Sequence, residues 1–172
     1  MNELNLCSTT SSLLQKAIAE TRSISHNLMP NELKEFGLGC ALLELVNNIN
    51  ETGQGYKIVF DNQVSDEEYI DPKIAITFYR VIQEIINNSI KHANANLLRI
   101  VIGIRNKHIY LITKDDGVGF EVEKSRKSGL GLGSLENRAK STFGRLKIRS
   151  QRGKGTTHIM KVPLAINKIG MN

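Results

Sequence analysis

Tryptophan is absent from this 172-residue chain, proline occurs three times and cysteine twice. Two cysteines, Cys7 and Cys40, build neither a disulfide framework nor a metal-ligand cluster, and they suit a reducing compartment. No apolar run approaches the roughly 18 residues needed to cross a bilayer. The N-terminus also lacks the basic-then-apolar order of a signal peptide. No membrane segment is therefore expected in this chain, and with the reducing compartment that its cysteines suit a cytoplasmic location is expected, although a longer parent could be anchored elsewhere. Aromatic residues make up only 5%, and after Phe120 the sole aromatic is Phe143. Nucleic-acid binding needs aromatics interleaved with basic residues as stacking platforms, so this scarcity disfavours it.

The apolar fraction of 40% and the charged fraction of 23% exclude collagen-like and wholly disordered chains. The length suffices for one ordinary domain plus an appendage. A formal charge of +6 hides an asymmetry: residues 1–120 carry 11 Lys+Arg against 14 Asp+Glu, whereas residues 121–172 carry 12 against 3. A basic C-terminal part points to an anionic partner such as a nucleotide triphosphate or an acidic protein face.

Helical spacing of Leu13, Leu14, Ala17, Ile18, Thr21, Ile24 and Leu28 predicts a helix from Ser12 to Met29, ended by Pro30. A second helix fits Leu38–Ile49, and Tyr56–Phe60 alternates like a strand. Asp71-Pro72 supplies a cap and a first-turn proline for a long helix reaching Ala93. The segments Leu97–Ile104 and His108–Thr113 read as a hairpin around Arg105-Asn106-Lys107. A glycine-rich stretch, Gly117 to Gly133, leads into a helix from Ser134 to Phe143. Strands Arg145–Ser150 and Thr156–Leu164 close the chain around Gly153-Lys154-Gly155. The expected fold class is α+β, a two-layer sandwich with a mixed sheet and helices on one face.

Four short patterns carry chemistry. On the long helix, Phe78, Ile82, Ile85, Ile86, Ser89 and Ala93 form an arc suited to packing on the sheet. Glu84, Asn88 and Lys91 share the opposite side, flanked by Asn87 and His92. A solvated face is the plain explanation of such a stripe. The alternative is a Mg²⁺ site, since oxygen ligands suit an ion that also binds substrate phosphates. Asp115-Asp116-Gly117-Val118-Gly119 directly follows a strand, and it is either a hairpin turn or a carboxylate acceptor for an amino group. Gly129-Leu130-Gly131-Leu132-Gly133 at a helix start is either a flexible loop or a phosphate cradle. Gly153-Lys154-Gly155-Thr156 could serve as an ordinary β-turn.

Order and spacing of the four sets resemble the N, G1, G2 and Gly-x-Gly-Thr boxes of the GHKL ATPases. Within that superfamily the chain is similar to the catalytic ATP-binding domain of bacterial two-component sensor histidine kinases. The stretches Gln83 to Ala93 and Gly131 to Ala139 resemble the branch that signals to response regulators with helix-turn-helix output. The resemblance implies a Bergerat-type sandwich over residues 37–166, after an N-terminal tail and remnant dimerisation helix (1–36) and before a C-terminal tail (167–172). It implies Mg²⁺ on Asn88 and a base or water-organising role for Glu84. Asn87, Lys91 and His92 would contact phosphates and ribose. Asp115 would read adenine, with Gly117 and Gly119 giving the base room. Residues 120–131 would form a mobile lid, with Gly129, Gly131, Leu132 and Gly133 on its phosphate side and Thr156 near adenine.

The implied activity is that of a phosphotransferase. A γ-phosphate passes from Mg²⁺-ATP to a histidine on a dimerisation helix, then to an aspartate of a response regulator receiver domain. The acceptor helix is not in this sequence. Ser12–Met29 resembles the second dimerisation helix, so His26 is not read as the acceptor, and the parent is expected to be a homodimer. The alternatives are a nucleotide-binding interaction module, as in a degenerate kinase, or another GHKL ATPase such as a serine kinase.

Overall fold

The computed structural model describes residues 31–51, 55–65, 67–127 and 132–164. The expected helix Ser12–Met29, together with Cys7, His26, Pro30, Gly129 and Gly131, lies outside them. Contacts divide the chain into two units, Met1–Asn31 and Glu32–Asn172, and the second contains the fold described below.

Two helices come first, α1 (Asn31–Glu35) and α2 (Gly37–Glu51), then strand β1 (Lys57–Gln63). The long helix α3 (Pro72–Asn88) continues into a π turn, Ser89–Ala93. Strands β2 (Leu97–Arg105) and β3 (His108–Asp115) follow, then the short helices α4 (Val122–Lys127) and α5 (Leu132–Lys140). Strands β4 (Arg145–Ser150) and β5 (Thr156–Pro163) end the fold. The sheet runs β1-β2-β3-β5-β4, parallel between β1 and β2 and antiparallel elsewhere. This mixed sheet with one covered face is the expected α+β sandwich.

Local chemistry accounts for the element boundaries. Asp71 caps α3, its Oδ1 accepting the Lys73 N–H at 2.8 Å, with Pro72 at the first helical position. The β2–β3 connection is tighter than the expected three residues, because Arg105 still pairs with His108. Asn106 and Lys107 alone make the turn, at φ of 51° and 59°, as a two-residue type I′ hairpin requires. The final helix begins at Leu132 and ends at Lys140, earlier at both ends than the expected Ser134–Phe143. Asn50 on α2 clamps the edge strand, donating to the Ile58 carbonyl at 3.0 Å and accepting its N–H at 2.8 Å. Helix α1 was not anticipated: its five residues are too few to show a period.

Alternation along the strands sets the core. Phe78, Ile82, Ile85 and Ile86 of α3 are buried, as are Leu98, Ile100 and Ile102 of β2 and Ile109 and Leu111 of β3. Fully burying one such side chain contributes roughly 1.5–3 kcal/mol. The opposite residues of each strand face away from the helices.

Candidate functional site

A cavity of about 460 Å³ opens between the end of α3, the β3–α4 loop and β5. Its helical wall is Ile85, Asn88, Ser89, His92 and Ala93. These positions recur at i, i+3, i+4, i+7 and i+8, so one helical face supplies all five. Ile85, Ser89 and Ala93, all in the arc expected to pack on the sheet, also form part of this wall. Glu84 stands one turn behind Asn88, whose Nδ2 donates to Glu84 Oε1 at 3.3 Å. Lys91 and Asn87 are exposed and off the cavity wall. The helical wall ends in a π turn, a wider and rarer geometry that recurs at functional sites, and Asn94 closes it at φ 47°.

The two adjacent aspartates divide their labour. Asp116 is structural: its Oδ1 accepts the backbone N–H of Asn96 at 2.9 Å and of Leu97 at 3.0 Å, fastening the start of β2. The Leu97 bond, with that of Asn96, holds the Asp116 carboxyl below the usual carboxylate range. Asp115 is buried and lines the cavity. Its Oδ1 accepts from Gly117 N at 3.0 Å and from Thr156 N at 3.1 Å, which leaves Oδ2 as acceptor for a ligand. Burial pushes the Asp115 carboxyl up, and those two N–H donors only partly oppose it.

Asp115-x-Gly117-x-Gly119 is not a hairpin turn: it packs backbone on backbone. A Cβ at Gly117 would sit 2.3 Å from the Ala93 carbonyl oxygen, which already accepts the Val118 N–H at 2.7 Å. Gly119 has φ 60°, and a Cβ there would meet the Gln151 carbonyl oxygen at 2.0 Å. Glycine is thus required here by close protein–protein approach, and only Gly119 of the pair also lines the cavity.

Thr156 and Leu132 are also cavity residues, while Gly133 is exposed and off it. Phe120 and Ser125, which fall in the expected lid segment, line the cavity, whereas Val118 and above all His158 are wall residues with no functional role of their own in the sequence reading. His158 was given only a strand position. It is buried, its Nδ1 lies 3.0 Å from Thr113 Oγ1, and burial drives its pKa down to about 4. A histidine on the buried side of a strand alternation was the signal available. Behind Ser89, Tyr56 has its hydroxyl pushed up to about 12, chiefly by burial, with Asp115 and Asp116 adding to the rise. The Tyr56 hydroxyl and Ser89 Oγ are buried without a well-formed hydrogen bond.

Beside the cavity, α4 is tied down by Arg126, which bonds Glu123 at 2.8 Å and Glu136 of α5 at 2.7 Å. Of the basic residues in this region, Arg126 is therefore already neutralised by carboxylates.

The donor set suits a nucleotide with a divalent ion. The Asn88 bond to Glu84 uses the amide nitrogen, which leaves Oδ1 as a hard oxygen ligand. No group of three His, Cys, Asp or Glu among the described residues could cage a metal. A Mg²⁺ ion here would thus depend on phosphate oxygens and water besides Asn88.

Comparison with known proteins gives a consistent answer. Residues 73–166 match the family model of histidine kinase-, DNA gyrase B- and HSP90-like ATPases. The chain is 34% identical to the sensor histidine kinase ComP of Bacillus subtilis over 148 residues, covering 83% of this chain and 18% of ComP. It is 30% identical over 153 residues to the sensor histidine kinase LiaS of the same organism, covering 89% of this chain and 41% of LiaS. The chain therefore spans less than half the length of these relatives. Among solved structures, the histidine kinase domain of the blue-light activated kinase EL346 of Erythrobacter litoralis superposes with a TM-score of 0.61 at 19% identity, covering 74% of this chain and 61% of that one.

Proposed function

The chain belongs to the histidine kinase-, DNA gyrase B- and HSP90-like ATPases, and from that premise we propose that it is the ATP-binding catalytic part of a sensor histidine kinase. The observation that carries the reading is the buried Asp115 carboxylate in the wall of the cavity that Asn88 also lines. Residues 37–166 form the ATP-binding domain in this proposal. The adenine amino group donates to Asp115, and the phosphates extend toward Asn88 and the glycine-rich start of α5.

Phosphoryl transfer asks the protein mainly to position groups and screen charge. Asn88 would hold Mg²⁺, and the ion would supply neutralisation of triphosphate charge. Glu84, whose carboxylate accepts from the Asn88 amide, takes the role of base or water-organising residue at the acceptor in this reading. His92, Lys91 and Asn87 serve the ribose and phosphates, and Gly129, Gly131 and Gly133 the phosphate side of the lid. The acceptor is a histidine of a dimerisation helix in the parent homodimer, and the phosphoryl group then passes to a response regulator receiver domain. The cytoplasm is the compartment where ATP and such regulators meet; no helix among the described residues is long and apolar enough to cross a membrane.

The test mixes the chain with radiolabelled ATP, Mg²⁺ and a fragment carrying two dimerisation helices of a sensor histidine kinase. A phosphoprotein stable to alkali and labile to acid is expected on the fragment. An acid-stable product, as from a serine kinase, or no label despite tight ATP binding, would overturn the assignment.

A further inference from the structure

The sheet face turned away from the helices carries its side chains in cross-strand rows. Strand register places Val101, Ile112 and Ile159 side by side across β2, β3 and β5. Asp61 of β1 pairs with Val101 and Lys147 of β4 with Ile159, so the row ends in one acidic and one basic residue. Two residues along the strands to one side lie Arg99, Lys114 and Arg149; to the other lie Tyr110, Lys161 and Arg145. The result is an apolar strip between two basic rows.

Two cross-strand pairs on this face are like-charged: Arg99 opposite Lys114, and Arg145 opposite Lys161. Such pairs destabilise a sheet. Among the described residues no ion pair relieves these six cations, since the three present involve Arg126 and Arg152. In the middle of the strip Ile112 is 39% exposed. Tyr110 does not disturb the strip, because its ring lies over Gly103 and its hydroxyl donates to Gln63 Oε1 at 2.7 Å.

We propose that this face docks an amphipathic helix of a partner protein, its apolar ridge flanked on both sides by acidic side chains. The dimensions agree. Three strands span about 10 Å, with neighbours ~4.8 Å apart. At 1.5 Å rise per residue that is about seven residues, the span of an i, i+3 or i+4, i+7 ridge. The basic rows lie about 7 Å to either side along the strands, within reach of side chains flanking such a ridge. Other occupants fit less well. A second copy of the same face would set six cations against six. Nucleic acid would lay phosphates over three aliphatic side chains with no free aromatic to stack on. A membrane needs protruding apolar groups, whereas these β-branched residues sit between longer lysines and arginines.

The probe is a 15-residue stapled helix with leucines at ridge positions and glutamates beside them, titrated into the ¹⁵N-labelled full chain. Amide shifts centred on Val101, Ile112 and Ile159 are expected, with affinity falling about tenfold or more when glutamine replaces the glutamates. Ile112→Ser and the pair Lys114→Glu with Arg149→Glu should each weaken the peptide about tenfold as well, with nucleotide binding unchanged as evidence of folding. Shifts centred elsewhere would overturn the proposal, as would unchanged affinity in folded Ile112→Ser. So would tighter binding to anionic phospholipid vesicles or to duplex DNA than to the peptide.

Discussion

His158 Nδ1 and Thr113 Oγ1 meet at 3.0 Å across β5 and β3, beneath the cavity, with both side chains buried. The pair keeps a neutral imidazole in an apolar wall, because the hydroxyl can satisfy either tautomer.

Stability should therefore fall in acid. The folded pKa of His158, about 4, is below the ordinary histidine value of 6.5, so between those values the unfolded chain binds more protons. The contribution is full above pH 6.5 and lost as pH falls toward 4. About 2 kcal/mol should disappear between pH 7.5 and pH 5. Urea unfolding at both values measures it, and His158→Gln should remove most of this dependence.

Asp115→Asn should fold normally, because an amide oxygen can still accept from Gly117 and Thr156. It should bind ATP about 10- to 100-fold more weakly, the loss of one charge-assisted hydrogen bond. Calorimetric titration checks this, and undiminished affinity in a folded variant would remove Asp115 from the site. As pH is lowered, ATP affinity in the native chain should begin to drop while the pH is still above the usual carboxylate range, because burial raises this carboxyl and so protonates it early.

Asn88→Ala should uncouple nucleotide from metal. Native protein should melt higher with ATP and Mg²⁺ than with ATP and EDTA, since a ligand held only by the folded state raises the melting point. The variant should show one small shift in both conditions. A retained Mg²⁺-dependent shift would point to another ligand.

Gly117→Ala places a methyl group 2.3 Å from the Ala93 carbonyl oxygen and forces the β3–α4 loop off the π turn. A destabilisation of about 1–3 kcal/mol is expected, by analogy with overpacking, together with weaker nucleotide binding. Arg126→Ala should cost far less than Gly117→Ala, because its ion pairs are exposed and solvent-screened. Denaturant midpoints of the two variants, measured side by side, test the contrast.

The chain's periodicities and punctuation determined much of this protein without any coordinates. Asp71-Pro72 marked the start of α3, the β-branched runs marked the sheet, and glycine spacing marked the loops around the site. These features were legible because they act within a few residues, through caps, forced φ angles and alternation. Asp115 stood out for the same reason, lying between a strand end and two glycines. What only the tertiary structure decided was which neighbours meet. Asp115 and Asp116 are alike in sequence, yet one faces a cavity and the other fastens β2, because Thr156 arrives from 41 residues away. Ser89 and Ala93 become cavity residues where the β3–α4 loop packs against the π turn. His158 becomes a wall residue only once β5 lies beside β3, and the basic rows flanking Ile112 exist only in the register of four strands. Such features depend on long-range pairing, so no local pattern in the chain can encode them alone.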